Sequence, residues 1–220
     1  MKIFEGKKNK KAARVYRMKF SKMITRKVAG ISGIIFVPTA FLFILTSVII
    51  HRDWWDLGRH ALSHLGALQT PHNYIFNGGL VLTGILGIIF AIGLRKYFPL
   101  NKVQNVGVIS FLIGMLFLIY VGVFPLEMPF HVEGAAVMFL LSFFGILLVV
   151  LGDISKGLSH LQICCIASIT AIILAVVINI VLVIFMFEVV AAVHGPIGGV
   201  AIGVFTASHG YRLLQIDSKK

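Results

Sequence analysis

VAGISGIIFVPTAFLFILTSVII, residues 28–50, is an apolar run of twenty-three residues without a single charge. As a helix it rises about 35 Å, enough to cross roughly 30 Å of hydrocarbon. Strand barrels, the other way to satisfy backbone groups inside a bilayer, alternate polar and apolar residues, and this run does not. Five further apolar runs follow at 74–94, 106–124, 131–151, 161–187 and 189–208. With 58% hydrophobic and 13% charged residues among 220, the composition lies in the membrane class. The expectation is an all-α membrane protein, a six-transmembrane-helix bundle over 28–212, between a basic tail at 1–27 and a short tail at 213–220.

The basic residues give this bundle a direction. Eleven of the twenty Lys and Arg precede the first run, and seven more fall in alternate connections or the C-terminal tail. Only Arg52 and Arg59 lie on the opposite side. Such asymmetry places both termini in the cytoplasm of a multi-pass protein of the plasma (cell) membrane. With acids counted, the inner side carries +15 and the outer side −3, so the net +12 is a sidedness signal and does not call for nucleic acid. The basic tail lacks the short charged region and small-residue cleavage site of a signal peptide. It is read as a retained tail that enforces topology or touches anionic headgroups. Cys164 and Cys165 are neighbours within one run and point about 100° apart on a helix, so they read as packing residues without a disulfide.

Against this background the segment HRDWWDLGRHALSHLGALQTPHNYIFNGG, residues 51–79, stands out. It holds four of the eight histidines and both tryptophans. Trp54 and Trp55 suit an interfacial belt. On the expected topology, His51, His60, His64, His72, His131 and His194 share the outer face with Glu127, Glu133 and Glu188. Ser63, Asn77, His131, Glu133, Glu188 and His194 are the candidates for a polar cup that takes a lipid headgroup or small ligand.

Other chemistries can be drawn from the same residues. His60 and His64 stand four apart, which on a helix puts them on one face. With His131 or His194 as third ligand and water as the fourth they would form a catalytic zinc site, Glu133, Glu127 or Asp56 serving as base. The competing reading is a set of interfacial histidines solvated by water and headgroups. Haem needs two histidines at matched depth; His131 with His194, and His160 with His209, are the pairs available, all at helix ends. Ser47 and His51, also four apart, are similar to the Ser-x3-His motif of alkaline ceramidase-like membrane hydrolases. In that superfamily the motifs lie on well-separated helices of a seven-helix bundle. No Gly-x-Ser-x-Gly elbow or phosphate loop is present. Gly195, Gly199, Gly203 and Ala207 at four-residue spacing suit close helix packing or a seam in a homo- or hetero-oligomer.

Leu62-Ser63-His64-Leu65-Gly66-Ala67, Phe76-Asn77-Gly78-Gly79-Leu80, and Gly122-Val123-Phe124-Pro125 followed by His131 occur in this order. In these elements, over about residues 30–212, the chain resembles the prokaryotic membrane family called domain of unknown function 998, abundant in archaea and many bacteria. That family is in turn distantly similar to the eukaryotic damage-regulated autophagy modulator proteins. The resemblance implies a six-helix topology and singles out Ser63, Gly66, Asn77, Phe124, Pro125 and His131. It implies no activity. The functional expectation is lipid or small-ligand handling, or assembly within a membrane complex. The alternatives are a zinc-dependent hydrolase acting on a lipid, and a haem-binding or accessory subunit.

Overall fold

The computed structural model describes residues 24–57, 59–156, 173 and 190–216, leaving aside the side chains of 190–194 and 197. Among these residues the chain is helical, without strands. The helices are α1 (Arg26–Ile50), α2 (Asn73–Tyr97), α3 (Lys102–Val123), α4 (His131–Ile154) and α5 (Val190–Gln215), with a single 3₁₀ turn at Leu62–Gly66. α1 to α4 are long and apolar enough to cross a membrane, with mean hydropathy 2.5, 2.2, 2.5 and 2.7. The chain thus has the make-up of an integral membrane protein. The described residues account for four of the six expected spans. The expected fifth span, 161–187, lies outside them, and 189–208 corresponds to part of α5.

The helices outrun the apolar stretches. α2 continues through Arg95 and Lys96 to Tyr97, and α5 runs to Gln215. Hydropathy marks only the hydrocarbon-depth part of a helix, whereas the hydrogen-bond ladder extends until something stops it. Here the stops and starts are local. The Thr25 hydroxyl accepts the Val28 N–H at the start of α1. A capping box between Asn101 and Gln104 opens α3. Pro38 stays inside α1 without ending it.

Helices adjacent in sequence pack antiparallel from α1 to α4, and α5 returns against α1. Small residues set these crossings. Gly30 lies beside Gly210, Gly33 beside the Thr206 carbonyl, and Gly107 beside Gly145. The core between α2, α3 and α5 is an aromatic cluster, with Phe90, Phe111 and Phe205 ring centroids 5.5–6.1 Å apart. Large apolar side chains such as Leu42, Leu45, Ile49 and Leu140 face outward, as lipid contact demands. Two ends result. Arg26, Tyr97, Lys102, Ile154 and Gln215 lie at one, called the basic end; the 51–72 connection lies at the other, the loop end.

Candidate functional site

The 51–72 connection is held by bonds that run from side chains to backbone. His51 caps α1, its N–H bonding Ser47 O and Val48 O. Trp55 is buried against Leu65 and Phe76, and its indole N–H donates to Ala61 O at 3.1 Å. Thr70 Oγ1 donates to His64 O at 2.8 Å, and Asn73 Nδ2 to Ala67 O at 2.9 Å. Asn77 Nδ2 reaches Gly66 O at 2.9 Å. A Cβ on Gly66 would overlap Asn77 Oδ1, so only glycine lets helix and loop meet this closely. Across the gap Glu127 accepts the Leu68 N–H with both carboxylate oxygens, each at 3.0 Å.

The predicted cup residues divide on this frame. Ser63 is half-buried in the 3₁₀ turn, and Asn77 lies beneath it on α2. His131 is buried at the first position of α4, where its Nδ1–H donates to Phe124 O. That bond fixes the α3–α4 turn together with Tyr120 Oη, which donates to Pro129 O at 2.9 Å. Glu133 is exposed in the first turn of α4, where the helix dipole favours an acid. Glu188 and the His194 side chain lie outside the described residues.

The candidate metal ligands are placed differently from expectation. His60 precedes the 3₁₀ turn, so it does not share a helical face with His64. Their rings meet edge to face, centroids 5.8 Å apart. His60 Nδ1 accepts the Asp56 N–H at 3.3 Å, and His64 Nδ1 bonds Ala61 O at 3.2 Å. Among the described residues no three His, Cys, Asp or Glu side chains gather as a metal site. Of the haem candidates, His160 lies outside the described residues and His209 is bonded to Asp153. The Ser47 hydroxyl donates to Phe43 O at 2.9 Å, while His51 bonds the Ser47 carbonyl, so the two do not form a nucleophile–base pair.

An open groove of about 600 Å³ lies beside Asn77. Its upper wall is Leu68, Asn73, Tyr74 and Asn77; its lower wall is Val81, Leu82 and Ile85, further along α2. Gly122 brings α3 against α2 at its side, where a Cβ would lie 2.8 Å from Asn77 O. A Cβ on Gly78 would meet open space.

The densest polar network sits at the basic end, which sequence reasoning did not single out. Asp153 is 4% exposed. Its Oδ1 accepts Gln104 Nε2 at 2.7 Å, and its Oδ2 accepts Arg212 Nη1 at 2.7 Å and His209 Nε2 at 3.1 Å. Gln104 Oε1 accepts Lys156 Nζ at 2.7 Å. The Arg212 guanidinium also stacks on Phe98 at 4.6 Å. These bonds join α3, α4 and α5. The available signals were an acid just past the end of an apolar run, at Gly152-Asp153, and His209 three residues before Arg212 on one face.

Residues 34–211 match the family model described as protein of unknown function (DUF998), and the chain belongs to that family. No curated protein and no solved structure matches it. Four of the six positions that carried the resemblance form two latches at the loop end, Gly66 with Asn77 and Phe124 with His131.

Proposed function

We propose that the loop-end groove takes an amphiphile from the outer leaflet of the plasma membrane, polar head against Asn73, Tyr74 and Asn77, tail along Val81, Leu82 and Ile85. The observation that carries this reading is the change from polar to apolar wall along three turns of one helix. A water-soluble ligand has no use for the lower wall, and a purely apolar one leaves the upper wall unsatisfied. The excess of Lys and Arg at the other end supports an outward orientation for the groove. Among the described residues no Lys or Arg lines it, and Glu127 closes one side through Leu68. An uncharged or zwitterionic head suits these walls better than an anionic one.

Gly78→Phe tests it, because Gly78 lines the groove and a Cβ there meets open space. Wild-type protein purified in mild detergent should retain zwitterionic phospholipid by native mass spectrometry. Gly78→Phe, melting at the same temperature, should lose it; equal retention by both would refute the reading. Metal analysis of the same preparation addresses the hydrolase alternative. An equivalent of zinc, with turnover of added lipid, would put His60 and His64 in its place.

A further inference from the structure

His51 is 4% exposed, and each of its ring nitrogens faces a carbonyl oxygen. Nδ1 lies 2.7 Å from Ser47 O, and Nε2 lies 2.7 Å from Pro71 O. A carbonyl oxygen can only accept. A neutral imidazole has one N–H and one lone pair, so it satisfies one of these carbonyls and sets a lone pair against the other. Turning the ring over puts carbons where the nitrogens stand, well inside the roughly 3.3 Å of a C–H···O contact. The imidazolium, with two N–H donors, satisfies both. The 2.7 Å separations fall within the short range of charge-assisted N–H···O bonds.

His51 is the C-cap of α1, a helix of 25 residues, and its ring meets the negative end of the helix dipole. The other buried histidines of the described residues are placed otherwise. His131 has a single carbonyl partner, on Nδ1. His209 also faces two acceptors, Phe205 O at 3.0 Å from Nδ1 and Asp153 Oδ2 at 3.1 Å from Nε2, but the second is a carboxylate that Arg212 also pairs, inside the basic-end network. Among the described residues, the titratable and charged groups around His51 are Arg52 and Asp53 in the turn that follows it and His72 beside Pro71 on the approach to α2. Asp56 and His60 lie beyond Trp54, whose ring meets His51 edge-on at 5.6 Å. His64 lies in the 3₁₀ turn, and the α3–α4 connection brings Glu127 to Leu68.

We infer that His51 is a protonation-dependent latch on the loop: the imidazolium ties the C-terminus of α1 to Pro71, and loss of one proton releases Pro71. The bond to Ser47 is local and survives in the neutral ring. The bond to Pro71 spans twenty residues of chain and does not. Pro71 precedes His72, whose backbone is left-handed at φ 56°, and Asn73, the first residue of α2. Release therefore loosens the segment where the connection enters α2. The inference concerns the order of the loop and stands apart from what the groove binds.

Hydrogen–deuterium exchange of the full chain in detergent micelles, at about pH 5 and about pH 8, reads the latch directly. Expressed as protection factors, which remove the intrinsic pH dependence of exchange, peptides over 61–73 should lose about tenfold on going to the higher pH. Peptides from α2 and α3 interiors should not change. His51→Gln should show the low loop protection at both pH values. Equal loop protection in the wild type at both, or a pH dependence that His51→Gln retains, would overturn the inference. Ring ¹⁵N spectra of the wild type supply a check that needs no variant. Two protonated nitrogens on His51 at about pH 5 and one bare nitrogen at about pH 8 are expected, and a bare nitrogen at the lower pH overturns the latch.

Discussion

Asp153→Asn keeps the shape of a side chain that is 4% exposed and removes its charge. Among the described residues the carboxylate receives three donors, Gln104 Nε2, His209 Nε2 and Arg212 Nη1. Asparagine has one acceptor oxygen. If its amide nitrogen takes the place of Oδ1, it faces the Gln104 amide. Gln104 cannot turn to help, because its Oε1 is occupied by Lys156 Nζ and the Asn101 N–H. If the nitrogen takes the place of Oδ2, it faces both His209 and Arg212. Breaking a buried ion pair from one side costs about 3–5 kcal/mol. The Arg212 side chain is 19% exposed and stacked on Phe98, so it recovers part of its hydration. The lower end of that range, about 3 kcal/mol, is therefore expected. For a chain of this size that is a fall in Tm of about 6–12 °C, measured by circular dichroism in detergent. Pairing Asp153→Asn with Arg212→Gln should return about 1–2 kcal/mol of the loss as coupling. A fall in Tm below about 2 °C, or strictly additive single and double substitutions, would refute the claim that this network fastens α3, α4 and α5 together.

Two further outcomes probe the loop end. Gly66→Ala puts a Cβ onto Asn77 Oδ1 and within 2.8 Å of Phe76 Cδ1; a cost of about 1–3 kcal/mol is expected, confined to the loop. Limited proteolysis should find 59–70 cut faster while the core helices stay protected. His72→Gly relieves a left-handed residue at φ 56°, worth about 1–2 kcal/mol, against about 0.5–1 kcal/mol of added chain entropy in the unfolded state. A small rise in Tm should follow, and His72→Val should move it the other way.

The spans at the heart of this fold were legible because a run such as 28–50 permits little besides a membrane helix. Their ends were less so: α2 reaches Tyr97 and α5 reaches Gln215 because ladders and caps, not hydropathy, end a helix. At the loop, the sequence pointed to Asn77 and His131 but not to the particular carbonyls they bond. Their partners are the carbonyls of Gly66 and Phe124, and every residue offers the same carbonyl, so no pattern of side chains discloses the pairing. His51 was one histidine among several for the same reason. The basic-end network was hidden by distance along the chain, since Gln104, Asp153 and Arg212 meet only once three helices have packed.

The two ends hold themselves together in different ways, and the difference bears on where function lies. At the basic end the bonds run from side chain to side chain, Gln104 to Asp153, Asp153 to His209 and Arg212, Lys156 to Gln104. Each identity is fixed by its partner, and loss of one member strands a charge in a dry setting. At the loop end His51, Trp55, Asn73, Asn77 and His131 bond to backbone carbonyls. A path held through its backbone keeps its course whatever side chains it displays, so exposed loop residues such as Leu68 and Gln69 are free to vary with a ligand. Backbone bonds also break one at a time without leaving a charge behind, save at Glu127, whose carboxylate holds Leu68, and at His51, where protonation makes the bond. The proposed groove and the proposed His51 latch both lie at the loop end, the part held through its backbone, with the side-chain network of the basic end as its anchor.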